Sequence, residues 1–274
     1  MKTAPVWAPH LTHCLREDVY KQLQQCEIPD WVSKKNQFKT DILPLPQSVP
    51  YLEPTFEIKT SDLSVECTDL IVKKAAQWDV SVHSLLGGCI LSVFASEYGR
   101  SLGYKRIIQS PVSFRRFIKE EFKDAFGIYM GIMKQAIDCA PGIDLCTTVK
   151  NIHATFKKQI ESIELLKGYY QFMTLLLENV EDPETFFYNG PGPDPMDYDF
   201  SISNLGKIRL LSDKKGLVVD AHGPVFSAVD GERIFGVSTV NGKLSITMIY
   251  DDNCFCSKRA DRILEKINQV FSSF

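Results

Sequence analysis

The sequence predicts an α/β two-layer sandwich, a mixed β-sheet covered by helices. Three observations carry that reading. Runs of two-residue alternation interleave with runs of helical period, in the order β-α-α-β-β-α-α-β-β-β-β-α. Asn241-Gly242 separates the alternating runs Ile234 to Val240 and Lys243 to Tyr250, the strongest short-range hairpin signal. From Leu145 the apolar positions 145, 149, 152, 156, 160 and 163 trace one stripe of a helix.

The elements follow in order. Met1 to Pro54 is a proline-rich lead-in, with a helix expected from Leu15 to Cys26 and an extended arm at Phe38 to Leu43. It reads as a linker joining two halves of something larger, and residues 55–274 read as the folded lobe. Thr55 to Thr60 alternates and is a strand. Asp62 or Ser64 then opens a helix with Leu70, Ile71 and Ala75 on one side, broken at Trp78-Asp79-Val80. A second helix runs from Ser81 to about Tyr98. Its Gly87-Gly88 pair costs about 1 kcal/mol per residue against Ala, which points to a neighbour packed close. Strands are expected at Arg106 to Phe114 and Phe126 to Met133, and helices from Leu145 and from Leu165 to Val180.

Asp182 to Asp197 is a Gly-Pro loop in which each proline removes an N–H that could hold phosphate. The next strand, Ser201 to Gly206, alternates serines with apolar residues. Gly216 to Ala221 and Pro224 to Ser227 are further short extended runs. The last helix, Ser257 to about Phe271, buries Ala260, Ile263, Leu264, Ile267, Val270 and Phe271.

Composition narrows the function classes. A chain of 274 residues can bury one sizeable core or two small ones. A net charge of -3 gives no electrostatic reason to expect nucleic acid or an anionic membrane as partner. The eight cysteines include no C-x-x-C, so no metal site is expected, and reduced thiols in a cytoplasmic protein are the plain reading. Val80 to Ser96, the longest uncharged run, is short for a membrane span and reads as a buried helix.

Four segments, in order, resemble motifs of one known group. They are the helix Trp78-Asp79-Val80-Ser81-Val82-His83-Ser84-Leu85-Leu86, the strand Ser110-Pro111-Val112-Ser113-Phe114-Arg115, the strand Phe126-Gly127-Ile128-Tyr129-Met130-Gly131, and Ser203-Asn204-Leu205-Gly206. The last is followed by Ser238-Thr239 and Gly242-Lys243-Leu244. Together, over roughly residues 55 to 271, they resemble the C-terminal half of the chloramphenicol acetyltransferase-like superfamily. That superfamily includes condensation domains of peptide synthetases, alcohol acetyltransferases and phthiocerol diester acyltransferases.

The resemblance implies a two-lobed acyltransferase with a tunnel between the lobes. The acyl donor is a thioester of coenzyme A or of a carrier-protein phosphopantetheine arm, and the acceptor is an alcohol or an amine. A histidine of an H-H-x-x-x-D-G motif in the first lobe acts as general base. That motif is absent here: His10, His13, His83, His153 and His222 are the only histidines, and none precedes x-x-x-Asp-Gly.

By the same resemblance, Ser201, Ser203, Asn204 and Phe226 line the tunnel, where a hydroxyl near a developing oxyanion stabilises the transition state. Plain strand packing is the alternative for the two serines and Asn204. Arg115 makes either a structural salt bridge or a donor contact, and Asp199 holds a turn or a buried arginine. His83 is expected in a structural role. His222 is the remaining candidate for proton transfer, because imidazole titrates near neutral pH.

Two functions compete. The chain is a tunnel lobe completed by a histidine-bearing lobe, or a non-catalytic module that binds a ligand or a protein. Self-association, as in the trimeric antibiotic acetyltransferases, is a third possibility and still lacks a base. Exposure of the Ser201 to Asn204 strand, Phe226 and Ile128 in the lone chain favours a partner lobe, and their coverage by the lead-in arm favours the binding module.

Overall fold

The computed structural model describes residues 11–25, 55–98, 105–125, 129–140, 142–170, 198–208, 223–225 and 232–274. The elements begin with α1 (Leu11–Cys14), α2 (Glu17–Gln24), β1 (Phe56–Asp62), α3 (Val65–Gln77), α4 (Val82–Tyr98), β2 (Lys105–Ser113) and β3 (Met130–Asp138). They continue with α5 (Leu145–Glu161), α6 (164–170), β4 (Phe200–Lys207), β5 (Arg233–Val240), β6 (Lys243–Asp251) and α7 (Ser257–Ser272). The chain packs as two units. The first gathers Met1–Gln37, Pro111–Met133 and Lys158–Gly192, and the second Phe38–Ser110, Lys134–Lys157 and Pro193–Phe274.

Most of the sheet falls in the second unit, and its strand order is β1-β6-β5-β4-β2-β3. β4 runs parallel to β2 and to β5, while β6 is antiparallel to β5 and to β1, so the sheet is mixed. The β5–β6 turn has Asn241 at φ 50° and Gly242 at φ 81°, the two left-handed residues of a type I′ hairpin. Strand alternation sends Phe200, Ile202, Phe235, Val237, Leu244, Ile246 and Met248 to one face. There they pack on α3, α4, α5 and α7 in a single core.

Helix ends explain the chain path. Ser64 caps α3 by accepting the Cys67 N–H at 3.2 Å. At the other end Asp79 takes φ 56°, the Val80 N–H reaches the Ala75 carbonyl at 2.9 Å and the Asp79 N–H reaches Ala76 at 3.1 Å. That is a Schellman stop built on aspartate where glycine is usual. The side expected to hold Leu70, Ile71 and Ala75 buries Ile71 and Ala75, while Leu70 is 39% exposed. It stands a helical step of about 100° from Ile71. Helix α4 is apolar all round and central to the core. Its Gly88 abuts α5: a Cβ there would lie 2.4 Å from Val149 Cγ2.

In the first unit, Leu15, Val19 and Leu23 pack on Phe114, Phe117 and Leu166. The helix expected from Leu15 to Cys26 forms as α2 but starts only at Glu17, because Leu15 pairs with Ile118 as a β-bridge. The Arg16 N–H donates to Phe117 O at 3.0 Å and the Lys119 N–H to Cys14 O at 2.8 Å.

The third strand also differs from expectation. It runs on to Asp138, with Gln135 buried and donating to the Ile152 carbonyl at 3.1 Å. A polar residue facing the core broke the apolar pattern on which the shorter strand was read. The arm at 38–43, the run 216–221, the loop 182–197 and the expected helix beyond residue 170 lie outside the described residues. Pro224 and Val225 are described and are not strand. Among the described residues no single helix is long and apolar enough to cross a membrane; α3 and α4 together are, but meet at 102°.

Candidate functional site

The face of the sheet opposite the helices is unusually rich in hydroxyls, and the register places them in rows. One row reads Ser203, Gly236, Thr247 and Thr60 across β4, β5, β6 and β1. The row beside it reads Ser201, Ile234, Ile249 and Ile58, and on the other side Ser238 stands opposite Ser245. Ser201, Ser203, Ser238, Ser245 and Thr247 are all buried. Gly236 contributes no side chain, so two hydroxyls flank a backbone surface.

Residues 223–224 lie over this face. The Gly223 N–H donates to Ser245 Oγ at 2.8 Å, and Thr247 Oγ1 donates to the Pro224 carbonyl at 2.5 Å. A Cβ on Gly223 would stand 3.2 Å from Thr247 Cγ2 and 3.3 Å from the Ser245 carbonyl. The backbone is therefore seated closely enough that a side chain here would make its neighbours give by a few tenths of an ångström.

Asn204 stands on the other face with Ile202, as a period of two requires. Its Oδ1 accepts the Gly206 N–H at 2.8 Å, closing an Asx turn at a glycine with φ 67°. So the structure brings Ser201 and Ser203 together and turns Asn204 away.

Asp199 precedes β4 and extends its pairing with β2. It exchanges bonds with Ile107, N–H to carbonyl at 2.9 Å and Oδ2 from N–H at 2.7 Å. Arg106 Nε lies 3.9 Å from Asp199 Oδ1, with both side chains buried. Burial pushes the Asp199 carboxyl above its ordinary pKa, outweighing the opposing Ile107 N–H and the charges of Arg106 and Arg233. Half-buried Cys139 is pushed up to about 11 by burial, with Arg106 pulling it back and Asp199 adding to the rise.

Arg115 lies in a single-turn 3-10 helix, Arg115–Phe117, in the first unit. Its guanidinium donates to the carbonyls of Lys123 and Ala125 and stands 5.0 Å from the Tyr129 ring centroid. Those contacts tie down the 115–125 segment. His222 and Phe226 lie outside the described residues.

Two other histidines sit on the helix side. His83 Nε2 is 3.1 Å from Ser110 Oγ, and its ring packs on Phe156 at 4.6 Å. Burial lowers its pKa to about 4. Ser110 is fully buried, so this pair resembles a nucleophile and base only in its atoms. His153 Nδ1 accepts the Ser81 N–H at 3.3 Å and lies 3.4 Å from Ser84 Oγ, joining α5 to the first turn of α4. Among the described residues no group of three or more His, Cys, Asp or Glu is placed to hold a metal ion.

Sequence reasoning found Ser201 and Ser203 but not the roles of Gly236, Ser245 and Thr247. The signal was present: Ser245 and Thr247 alternate with Leu244, Ile246 and Met248. A two-residue turn at Asn241-Gly242 also sets Gly236 opposite Thr247.

No family model matches the chain, and no curated protein matches it by sequence. Solved structures do match. The TRI3 trichothecene 15-O-acetyltransferase of Fusarium sporotrichioides gives a TM-score of 0.65 at 13% identity, covering 96% of this chain and 55% of that one. The PapA2 acyl transferase gives 0.63 at 13% identity, covering 99% of this chain and 58% of that one. The epimerization domain from the third module of tyrocidine synthetase B gives 0.61 at 12% identity, covering 93% and 55%. The chain has the chloramphenicol acetyltransferase-like fold of these structures and spans a little over half their length.

Proposed function

We propose that the chain is the C-terminal lobe of an O- or N-acyltransferase. It forms a wall of the channel that takes an acyl thioester and an alcohol or amine acceptor. The observation that carries this reading is the hydroxyl row on the face of the sheet opposite the helices, centred on Ser203, Gly236 and Thr247. It lies within a fold shared with an acetyltransferase and an acyl transferase.

In the reaction the acceptor oxygen or nitrogen attacks the thioester carbonyl and loses its proton to a base. The carbonyl oxygen becomes an oxyanion, which a serine hydroxyl stabilises by donating a hydrogen bond. Collapse expels the thiolate, which takes up a proton. The base comes from a histidine-bearing lobe, because His83 and His153 are engaged on the helix side. The donor is acyl-coenzyme A or an acylated phosphopantetheine arm.

The test offers short- and long-chain acyl-coenzyme A with an alcohol and an amine to the purified chain and follows free thiol release. Binding is measured in parallel, with Ser203→Ala and His222→Ala beside the wild type. Acyl-coenzyme A binding without turnover, weakened in Ser203→Ala, supports a lobe that lacks only its base. Turnover abolished in His222→Ala would make the chain self-sufficient and overturn the need for a second lobe.

One observation favours a second reading, a non-catalytic ligand-binding or protein-interaction module. Ser201 and Ser203 are already buried, and backbone is seated on Ser245 and Thr247. Absence of both turnover and acyl-coenzyme A binding would establish that module.

A further inference from the structure

Strand β1 ends the sheet, and among the described residues no strand pairs with its outer edge. The direction of each of its peptide groups follows from the ladder on its inner side. The Asp252 N–H donates to Thr55 O at 2.8 Å, and the Leu63 N–H donates to Leu244 O at 2.9 Å. The register between them is unbroken from Phe56 to Asp62. Odd-numbered residues of β1 therefore point their N–H and carbonyl groups inward to β6, and Phe56, Ile58 and Thr60 point theirs outward.

Two usual guards of a sheet edge are missing from β1. It contains no proline and no bulge. Its only lysine, Lys59, lies 3.0 Å from Asp261 of α7, which offsets part of its charge. Phe56 and Ile58 are 38% and 46% exposed, and no residue of the strand is buried.

The sequence of the strand is complementary to itself. An antiparallel pair of copies with its two-fold axis at Ile58 sets Ile58 against Ile58 of the second copy and Phe56 against Thr60. All of these are outward residues, so the pairing makes about six hydrogen bonds between the chains. In the same register Glu57 faces Lys59 of the other copy, twice, at the closely spaced pairs where side chains approach most nearly. Moving the axis to Lys59 instead opposes two lysines and turns inward peptide groups together.

We propose that β1 is a homodimer interface, through which two copies of this chain join their sheets edge to edge about a two-fold axis at Ile58. The arrangement is a closed isologous contact. It is independent of the acyltransferase reading.

Sedimentation velocity of the full chain between about 1 and 100 µM should show a concentration-dependent dimer. Ile58→Pro removes an outward N–H and none of the β1–β6 bonds, as proline at a sheet edge allows. It should give a monomer with unchanged circular dichroism. Glu57→Lys and Lys59→Glu should each weaken the dimer at least about tenfold by opposing like charges. Mixing the two variants should restore pairing as a heterodimer, since each supplies the charge the other lacks.

Hydrogen exchange on the wild type reads the same edge without mutation. The amides of Phe56, Ile58 and Thr60 should gain protection as concentration rises, while those of Glu57 and Lys59 are protected throughout. A monomer over the whole range, or a dimer unaffected by Ile58→Pro and by the charge exchange, overturns the assignment.

Discussion

Two adjacent glycines in α4 should respond to alanine with opposite signs. Both gain about 1 kcal/mol from helix propensity. At Gly87 the added methyl would meet Ile108 Cδ1 at 3.9 Å and Ile152 Cγ2 at 4.0 Å, which is ordinary contact. Burying that methyl adds about 0.8 kcal/mol, so Gly87→Ala should stabilise by roughly 1–2 kcal/mol. At Gly88 the methyl would fall 2.4 Å from Val149 Cγ2, more than an ångström inside contact distance. Val149 is fully buried and, as a β-branched residue in a helix, has one favoured rotamer, so it has no easy retreat. Helices α4 and α5 must separate, and overpacking of this kind costs about 1–3 kcal/mol. Set against the propensity gain of about 1 kcal/mol, net destabilisation of up to about 2 kcal/mol follows.

Urea unfolding of the two variants should therefore differ by about 1–4 kcal/mol, and melting by several degrees. A double-mutant cycle with Val149→Ala locates the clash, since removing the valine methyls should relieve Gly88→Ala by about 1 kcal/mol or more. Equal stability of Gly87→Ala and Gly88→Ala, or strict additivity in the cycle, would refute the packing argument.

Three further outcomes are expected. Asp79→Gly removes the left-handed strain at the end of α3 and should raise stability by up to about 1 kcal/mol, read from urea midpoints. His83 is neutral when folded, with its pKa lowered to about 4 from an ordinary 6.5. The unfolded chain therefore binds its proton first as pH falls. Stability is complete above pH 6.5 and declines toward pH 4, by on the order of 3 kcal/mol; the wild-type minus His83→Gln difference should carry that slope. Asp199→Ala leaves Arg106 and the Ile107 N–H buried without their carboxylate and should cost about 3–5 kcal/mol. Asp199→Asn keeps an acceptor for Ile107 and should cost less, as differential scanning calorimetry would show.

Much of the second unit was legible because its signals are local. Ser64 caps α3, Asn241-Gly242 turns the hairpin, and the apolar stripes of α5 and α7 follow from spacing alone. What escaped was set by distant partners. Leu15 looks like a helical residue until Ile118 pairs with it. Gln135 looks like the end of a strand until the Ile152 carbonyl takes its amide. At the site, Ser201 and Ser203 were visible from their own strand. The row they belong to depends on register across Gly236 and Thr247, and Asn204 was grouped with the serines by resemblance although alternation separates them.

The pairing of β1 with β6 bears on how the chain is made. Phe56 meets Asp251, so a strand near the start of the lobe waits for one almost at its end. During synthesis at about 5–20 residues per second that wait lasts on the order of ten seconds or more. Throughout it β1 has neither ladder nor neighbour, and Phe56 and Ile58 are open to any other unpaired strand. The lobe's nascent chain should accordingly lean on chaperones until α7 emerges, and truncations that remove β6 should aggregate before they degrade.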